Sequence, residues 1–329
     1  MKHTGSVQRM ARVACIAAGL MSAGHVMAQA SFPVRPIRMV VPGSPATGMD
    51  NMGRVVARAM TEALRQQVVV DNRAGAGSLI GSGIVATSAP DGYTIGIAST
   101  STIVAPLLQL KPPYDPIKDF VPIALLSSIT SVLVVAPGVP VKNAREFVEY
   151  ARARPGQLNF ASIGSGSAAH LTPELFNRAA GIKAVHVPFK SVSDVVTEMR
   201  ASRVHYLMFI SPAALPMVTD SPLRAMAVTS LKRFAGLPDV PTVSEIGLKN
   251  AEVDTMIGVI GPRGMPASLV KRLHAEIAAA LKAPDTATQF ARYGGEPAVD
   301  TTPEKFAAQW QAEYHLYRAL LPEIGLKPQ

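Results

Sequence analysis

The chain has 329 residues, a formal net charge of +9 and aromatic residues at only 5% of its length. Its Lys and Arg residues are scattered, and the shortage of aromatic side chains argues against the basic stacking surfaces of nucleic-acid-binding proteins. The positive balance instead favours small anionic partners.

The first 30 residues have the pattern of an export signal. Lys2, Arg9 and Arg12 give a positive start, and an apolar stretch follows from Val13 to Met21. Residues 28–30 read Ala-Gln-Ala, the A-x-A pattern that a signal peptidase cuts. The apolar stretch is shorter than the roughly 20 residues of a membrane-spanning helix. We therefore predict cleavage near Ala30 and a periplasmic mature protein.

Export would leave a chain of about 300 residues without cysteine, because the only cysteine, Cys15, lies in the signal segment. Such a chain depends on hydrophobic cores, and a length of this order usually divides into two domains.

Short apolar runs alternate with stretches of helical period after the signal segment, which is typical of parallel α/β units. The predicted strands are residues 37–41, 68–70, 93–98, 132–136, 158–162, 185–187, 204–209, 225–229 and 256–260. The clearest helix follows the first strand, because Met52, Val56 and Met60 recur at helical spacing.

A glycine-rich turn, Gly164-Ser165-Gly166-Ser167, joins a predicted strand to a predicted helix. Free N–H groups pointing outward and a helix N-terminus would suit a carboxylate or phosphate there, although an ordinary strand-to-helix turn has the same pattern. The acidic residue of a dinucleotide site is missing about 20 positions later, so no nucleotide cofactor is expected. Pro173 would interrupt a helix that began at Ser167, but it would suit a helix capped by Thr172 with proline at its first position.

Two further loops place polar groups after a predicted strand. The loop before the clear helix contributes the candidates Ser44, Thr47, Gly48 and Asp50. The loop after residue 98 contributes Ser99, Thr100 and Ser101. Asp50 could cap the helix or contact a ligand, and the sequence leaves both roles open.

The sequence contains none of three common catalytic motifs that an exported α/β enzyme could carry. The sequence has no G-x-S-x-G elbow, no cysteine nucleophile after the signal segment and no H-E-x-x-H motif. His170 and Glu174 could face one way on a helix, but two ligands do not make a metal site, so no metal is predicted. His186 and His205 lie in strand-like runs, where a buried, hydrogen-bonded histidine is the commoner explanation.

Several ordered stretches resemble one family of binding proteins. They are PIRMVVPGSPATGMD, VVVDNRAGAGSLIG, APDGYTIGIAST, PPYDPIKDF, NFASIGSGSAAHL, HVPFK, LRAMAVTSLKR and LPDVPTVSEIGL. From about Pro36 to its C-terminus the chain is similar to the Bug or TctC family, the extracytoplasmic solute-binding proteins of tripartite tricarboxylate transporters.

The resemblance implies a type II periplasmic binding protein fold, with two α/β domains and a ligand cleft between them. We expect the first domain at residues 31–130 plus 252–329 and the second at 131–251. The resemblance also implies a carboxylate held by the loops 42–50 and 162–170. The candidates that it adds are Ser162, His170, Phe189, Lys190 and Phe209. Phe209 and Ile210 stand where polar residues are common, which predicts a cleft that is less polar on one side.

The leading hypothesis is a monomeric binding protein, without cofactor or nucleic-acid partner, that captures a small mono- or dicarboxylate. It would present the ligand to membrane transporter subunits or to a periplasmic sensor. One alternative is an exported α/β enzyme that acts on carboxylates through Asp50, His170 or Lys190. Another is a scaffold whose cleft no longer binds a ligand.

Overall fold

A computed structural model describes residues 32–164, 166–249 and 251–328. The predicted signal segment and its cleavage site lie outside these residues. The chain divides into a short unit that ends at Arg35 and a compact unit from Pro36 onward. The fold described below belongs to the second unit.

The first of two sheets has six strands in the order β11-β4-β10-β3-β1-β2. They are β1 (Ile37–Val41), β2 (Val68–Asn72), β3 (Thr94–Ser99), β4 (Phe120–Ile129), β10 (Thr255–Pro262) and β11 (Gly295–Pro297). The helices of this part are α1 (Gly48–Leu64), α2 (Leu79–Ala86), α3 (Thr100–Leu107), α8 (Ala267–Lys282), α9 (Pro284–Ala291) and α10 (Pro303–Glu323). We call this sheet and its helices the first lobe.

The second sheet has five strands in the order β7-β6-β8-β5-β9. They are β5 (Ser131–Val135), β6 (Asn159–Ser162), β7 (Val185–Pro188), β8 (Tyr206–Ile210) and β9 (Arg224–Val228). The helices here are α4 (Ala144–Arg152), α5 (Ala168–Ala180), α6 (Val192–Arg200) and α7 (Ser211–Thr219). These elements form the second lobe, and β5 is buried along its whole length because its β-branched and leucine side chains are covered on both faces.

Both sheets are mixed, whereas the alternation of strands and helices predicted parallel units. β1 pairs in parallel with β2 and β3, but β10 runs antiparallel to β3 and β4. In the second sheet, β5 runs antiparallel to β8 and β9. The antiparallel strands β5 and β10 are those that follow each passage of the chain from one sheet to the other.

Strand β4 is absent from the sequence prediction, as is the short β11. The run Phe120–Ile129 contains Pro122, and an internal proline argues against a strand because it cannot donate to the ladder. In the structure Pro122 pairs with Ile260 next to a register shift in the β4–β10 ladder. The irregularity accommodates a residue that would interrupt a regular ladder.

The chain crosses between the lobes at Thr130 and again between residues 229 and 254. The two crossings are hydrogen-bonded to each other, since Thr229 Oγ1 lies 3.3 Å from Thr130 Oγ1 and donates to Asp254 Oδ1 at 3.0 Å. Thr229 Oγ1 also accepts from the Ser131 amide at 2.9 Å. Burial raises the pKa of Asp254, although the threonine hydrogen bonds oppose this effect.

Helix α5 of the second lobe packs against α3 and α10 of the first. Leu171 and Leu175 share a buried cluster with Val104 and Leu320. The helix begins at Ala168 after an extended Ser167, so of the two starts left open the earlier one is observed, and Pro173 lies inside α5. It removes the donor that the carbonyl of Ala169 would otherwise receive in the i to i+4 pattern.

Within the described part of the chain, none of the helices combines the length and the apolar character needed to cross a membrane.

Candidate functional site

A cleft of about 650 Å³ lies between the two lobes. Its first-lobe lining comes from the loops that precede α1 and α2, from the junction of β3 and α3, from β4 and β10, and from the segment after α9. Its second-lobe lining comes from the start of α7. The lining residues are Pro42, Gly43, Ser44, Thr47, Gly48, Met49, Ala74, Gly75, Gly77, Ser78, Ser99, Ser101, Ile129, Ile210, Pro212, Ala213, Thr255, Ile257, Arg292 and Tyr293.

The loop before α1 presents the exposed side chains of Ser44 and Thr47 to the cleft. Thr47 is the N-cap residue of α1, and its hydroxyl accepts from the Asp50 amide at 3.4 Å. Asp50 is buried and accepts from the Ala46 amide at 2.8 Å, from Arg54 and from Asn72. Of the two roles left open for Asp50, helix capping is therefore performed by Thr47, and the Asp50 carboxylate holds the loop in shape.

The charge of Asp50 suits this structural role. Burial opposes its ionisation, but the hydrogen bonds from Arg54, Asn72 and the Ala46 amide together lower its pKa. An ionised Asp50 fixes the backbone before α1, so that Gly48 and Thr47 stay at the edge of the cleft.

The turn from β3 to α3 contains no intervening residue, since β3 ends at Ser99 and α3 begins at Thr100. The Ser99 amide donates to Thr102 Oγ1 at 3.2 Å. The Ser99 hydroxyl stands over the first turn as in a capping box, yet it has no hydrogen-bond partner of normal geometry among the described residues. Ser99 is only 3% exposed, so an unsatisfied hydroxyl lies buried in the cleft wall. Such a group costs free energy unless a ligand supplies its partner.

A second loop, Ala74–Ser78, lines the cleft but was not among the sequence candidates. Ala76 and Ser78 both have positive φ angles, of 45° and 86°, which are rare for residues other than glycine. Strained backbone of this kind is concentrated at ligand sites. The signal in the sequence is the alternation of small residues in Ala74-Gly75-Ala76-Gly77 directly after β2.

Arg292 and Tyr293 form a second group that sequence reasoning missed. They follow α9, and Tyr293 lies in van der Waals contact range of the position that a Cβ on Gly48 would take. Arg292 is exposed and makes no salt bridge with the described residues. Among the described residues that line the cleft, it is the single charged side chain. No motif marks it, because it lies more than 240 positions after Gly48 and only the fold brings them together.

The second-lobe wall of the cleft is apolar. It consists of Ile210, Pro212 and Ala213, and the first lobe adds Ile129 and Ile257 at the base. This agrees with the prediction, made from Ile210 and its neighbour, of a cleft that is less polar on one side.

The glycine-rich turn between β6 and α5 is bonded to itself. The Gly164 amide donates to Ser162 Oγ at 3.2 Å, the Gly166 amide to His170 Nδ1 at 3.0 Å, and the Ser167 amide to the Gly164 carbonyl at 3.2 Å. The expectation of free N–H groups is therefore wrong for these three residues. Positive φ angles at Gly164 and Gly166 allow the turn to close on itself in this way.

Two stacked histidines lie beside this turn. The rings of His170 and His186 are 3.7 Å apart with an angle of 9° between them. His170 Nδ1 accepts from Gly166, so its proton is assigned to Nε2, which lies 3.7 Å from Glu174 Oε1. His186 Nε2 lies 2.7 Å from Ser162 Oγ. Burial, and secondly the neighbouring His170, lowers the pKa of His186 to about 4.

The cleft brings together part of the predicted site. Five predicted residues line it: Ser44, Thr47, Gly48, Ser99 and Ser101. Ser162 and Phe209 line a separate small cavity of about 10 Å³ in the second lobe. Ser165 lies outside the described residues. The predicted residues that line neither cavity are Asp50, Thr100, Gly164, Gly166, Ser167, His170, Phe189 and Lys190.

Some of these residues have other partners. Thr100 Oγ1 donates to Glu313 Oε2 at 3.1 Å, and the Phe189 amide donates to the Ser162 carbonyl at 2.9 Å. His205 accepts from the Asn159 amide at 2.9 Å through Nδ1, so the predicted hydrogen bond is present, but the residue is half-buried and lies just before β8. The described residues include no group of three or more His, Cys, Asp or Glu that could hold a metal ion.

The family model for the tripartite tricarboxylate transporter family receptor, TctC, matches residues 52–326. The chain belongs to this family. A relative from Pseudomonas sp. (strain P51), the UPF0065 protein in the tcbD-tcbE intergenic region, is 39% identical over 90% of this chain and 88% of its own length. Protein BugT of Bordetella pertussis is 33% identical over 90% of this chain and 91% of its own length.

Solved structures agree with this membership of the TctC family. The periplasmic binding protein BugD is 30% identical with a TM-score of 0.70, covering 91% of this chain and 100% of that chain. R. palustris Rpa4515 with adipate is 29% identical with a TM-score of 0.73 and coverages of 91% and 100%. MatC from Rhodopseudomonas palustris with bound malate is 29% identical with a TM-score of 0.69 and coverages of 88% and 100%. The fold is that of the type II periplasmic binding proteins, and the chain is a solute-binding protein of the TctC family.

Proposed function

We propose that this solute-binding protein captures a small organic carboxylate in the cleft between its lobes and presents it to a membrane transporter or a periplasmic sensor. The observation that carries the proposal is Ser99, a residue of the cleft lining whose buried hydroxyl lacks a hydrogen-bond partner among the described residues. A carboxylate oxygen would accept its proton. The exposed hydroxyls of Ser44 and Ser101 are further donors on the same side, whereas the Thr47 hydroxyl donates to the Ser44 carbonyl at 3.0 Å.

The helix termini of the first lobe support an anion rather than a cation at this position. The N-terminal ends of α1 and α3 both border the cleft, and each carries a partial positive charge. The related Rpa4515 and MatC structures contain adipate and malate, which are carboxylates.

Domain closure is the second part of the proposal. The domains would be residues 31–130 plus 252–329 and residues 131–251, and they would close about the crossings at Thr130 and at residues 229–254. Closure would bring the Gly164–Ser167 turn, Phe189-Lys190 and His170 toward the ligand. The mature protein would begin after Ala30 as a periplasmic monomer.

Thermal unfolding with matched acids and amides tests the carboxylate. A ligand that binds only the folded state raises the free energy of unfolding by about 2.7 kcal/mol at a hundredfold excess over Kd. We expect at least one acid among hexanoate, benzoate, adipate and malate to raise the Tm, and its amide to raise it much less. Equal shifts for acid and amide, or no shift with any acid, would contradict the proposal.

Mass spectrometry tests the location. The periplasmic fraction should contain a chain whose intact mass corresponds to a start at Ser31, without a lipid. A chain that retains residues 1–30 would contradict this part of the proposal.

A further inference from the structure

The charge and polarity of the cleft are unevenly distributed. The first-lobe side carries the hydroxyls and Arg292, while the second-lobe wall is formed by Ile210, Pro212 and Ala213. A ligand that makes favourable contacts with both sides needs one charged end and one apolar body.

We infer that Arg292 binds the charged end of an organic monocarboxylate whose apolar body packs against Ile210, Pro212 and Ala213. This inference rests on the proposed function and adds to it the residue that determines charge selectivity and the class of ligand.

Arg292 is available for this role because no described residue neutralises it. The salt bridges of the described residues use other cations, and the cleft lining contains no acidic side chain among its described residues. A guanidinium offers several donors in a planar fork that matches a carboxylate. Its neighbour Tyr293 lies against Gly48, so Arg292 stands close to the N-terminus of α1 and reinforces the same positive potential.

The apolar wall accounts for the rest of the ligand. Each buried methylene group of a ligand contributes about 0.8 kcal/mol when it leaves water. A second carboxylate at the far end would lose hydration against Ile210 and Ala213 without gaining a partner there. The cleft should therefore favour one carboxylate over two on the same carbon skeleton.

Calorimetric titration with hexanoate, adipate and hexanamide tests both halves of the inference. Hexanoate and adipate have the same number of carbons and differ in the second carboxylate, while hexanamide lacks the charge. Wild-type protein should bind hexanoate at least about tenfold more tightly than adipate and than hexanamide.

The Arg292→Gln variant should weaken hexanoate binding about tenfold or more, as for the loss of one charge-assisted hydrogen bond, and should weaken hexanamide binding much less because the amide is uncharged. Arg292→Lys should retain part of the affinity because it keeps the charge but loses the fork. The matched control is Arg58→Gln, since Arg58 is an exposed cation on α1 about 15 Å along the helix from Gly48. It changes the net charge equally and should bind like the parent.

The Ile210→Thr variant tests the wall, because it replaces an apolar side chain by a smaller one that carries a hydroxyl. The affinity for hexanoate should fall several-fold and the affinity for adipate should change less. The preference for hexanoate over adipate should therefore become smaller. Thermal melts of the ligand-free variants show whether they fold, and Arg292→Gln should melt like the parent.

The outcomes separate this inference from the proposed function. Hexanoate binding by Arg292→Gln equal to that of the parent would overturn the role of Arg292. Tighter binding of adipate or malate than of hexanoate would overturn the monocarboxylate class while leaving carboxylate binding intact. Failure of the parent to bind any carboxylate would overturn the proposed function itself, and this inference with it.

Discussion

Two strand-to-helix turns of this protein have similar sequences but opposite internal bonding. The turn from β3 to α3 leaves the Ser99 hydroxyl without a partner in the cleft wall. The turn from β6 to α5 is longer and satisfies its polar groups with Ser162, His170 and the Gly164 carbonyl. Both turns follow a buried strand and contain serine.

The difference follows from the lengths of the two turns and from the glycines in the turn between β6 and α5. The β3 turn has no residue between strand and helix, and its Ser99 hydroxyl stands over the first turn of α3 without a hydrogen-bond partner of normal geometry among the described residues. The β6 turn has residues with positive φ angles at Gly164 and Gly166, which let it curl until donors and acceptors meet. A glycine-rich turn is therefore less available to a ligand in this state than a tight turn with serine at its corner.

The largest expected effect is a loss of stability on replacing Asp50, which holds the loop before α1 in shape. Asp50→Ala removes a buried carboxylate that receives hydrogen bonds from Ala46, Arg54 and Asn72. We expect the free energy of unfolding to fall by about 3 kcal/mol, because several donors lose their partner. Urea denaturation measures it. Glu62→Ala, an exposed acidic residue on the same helix, serves as control and should change stability by less than about 0.5 kcal/mol. Equal effects of the two variants would remove the structural role assigned to Asp50.

Ser99→Ala should weaken binding without harming the fold. The hydroxyl has no partner in the ligand-free protein, so its loss should change the free energy of unfolding by less than about 0.5 kcal/mol. Carboxylate affinity should fall about tenfold, as for a hydrogen bond to a charged group. Titration and urea denaturation of the same preparation give both values. A large loss of stability with unchanged affinity would show that Ser99 is structural.

Ser162→Ala should give the opposite result. Its hydroxyl accepts from Gly164 and lies 2.7 Å from His186 Nε2, so its removal should lower the free energy of unfolding by about 1 kcal/mol. Affinity for the carboxylate should change less than in Ser99→Ala. If Ser162→Ala weakens binding more than Ser99→Ala does, the contrast between the two turns is reversed.

The smallest effect is a dependence of stability on pH through His186. Its folded-state pKa of about 4 lies below the ordinary value of 6.5, so the unfolded chain takes up a proton first as the pH falls. Stability from this group is present above pH 6.5 and is lost as the pH falls toward 4. We expect the Tm to drop by about one to two degrees from pH 7 to pH 5 through this residue.

His186→Phe, which keeps a flat ring but cannot titrate, should reduce that drop. His315→Phe is the control, because His315 is exposed and its loss should leave the dependence on pH unchanged. A dependence on pH that is the same in His186→Phe and in the parent would exclude His186 as its source.

Much of the fold follows from local sequence. The nine predicted strands are all present. Helix α1 lies where the spacing of its apolar residues predicted a helix. Apolar runs and helical spacing report burial directly, because each strand or helix must cover its own apolar face. Strand β4 was not predicted, because an internal proline such as Pro122 argues against a strand. The structure accommodates Pro122 where the pairing of β4 with β10 is irregular.

The residues of the candidate site also fall into two groups, those that the local sequence indicated and those that only the fold brings together. The sequence by itself determined which turns could lie at the ends of strands, and so it indicated Ser44, Thr47, Gly48, Ser99 and Ser101, which line the cleft. The tertiary structure alone decided that Arg292 and Ile210 face the same space as Gly48. It also decided that the amides of Gly164, Gly166 and Ser167 are already bonded. The physical reason is that hydrogen-bond satisfaction and the facing of distant side chains depend on three-dimensional proximity, which local patterns do not encode.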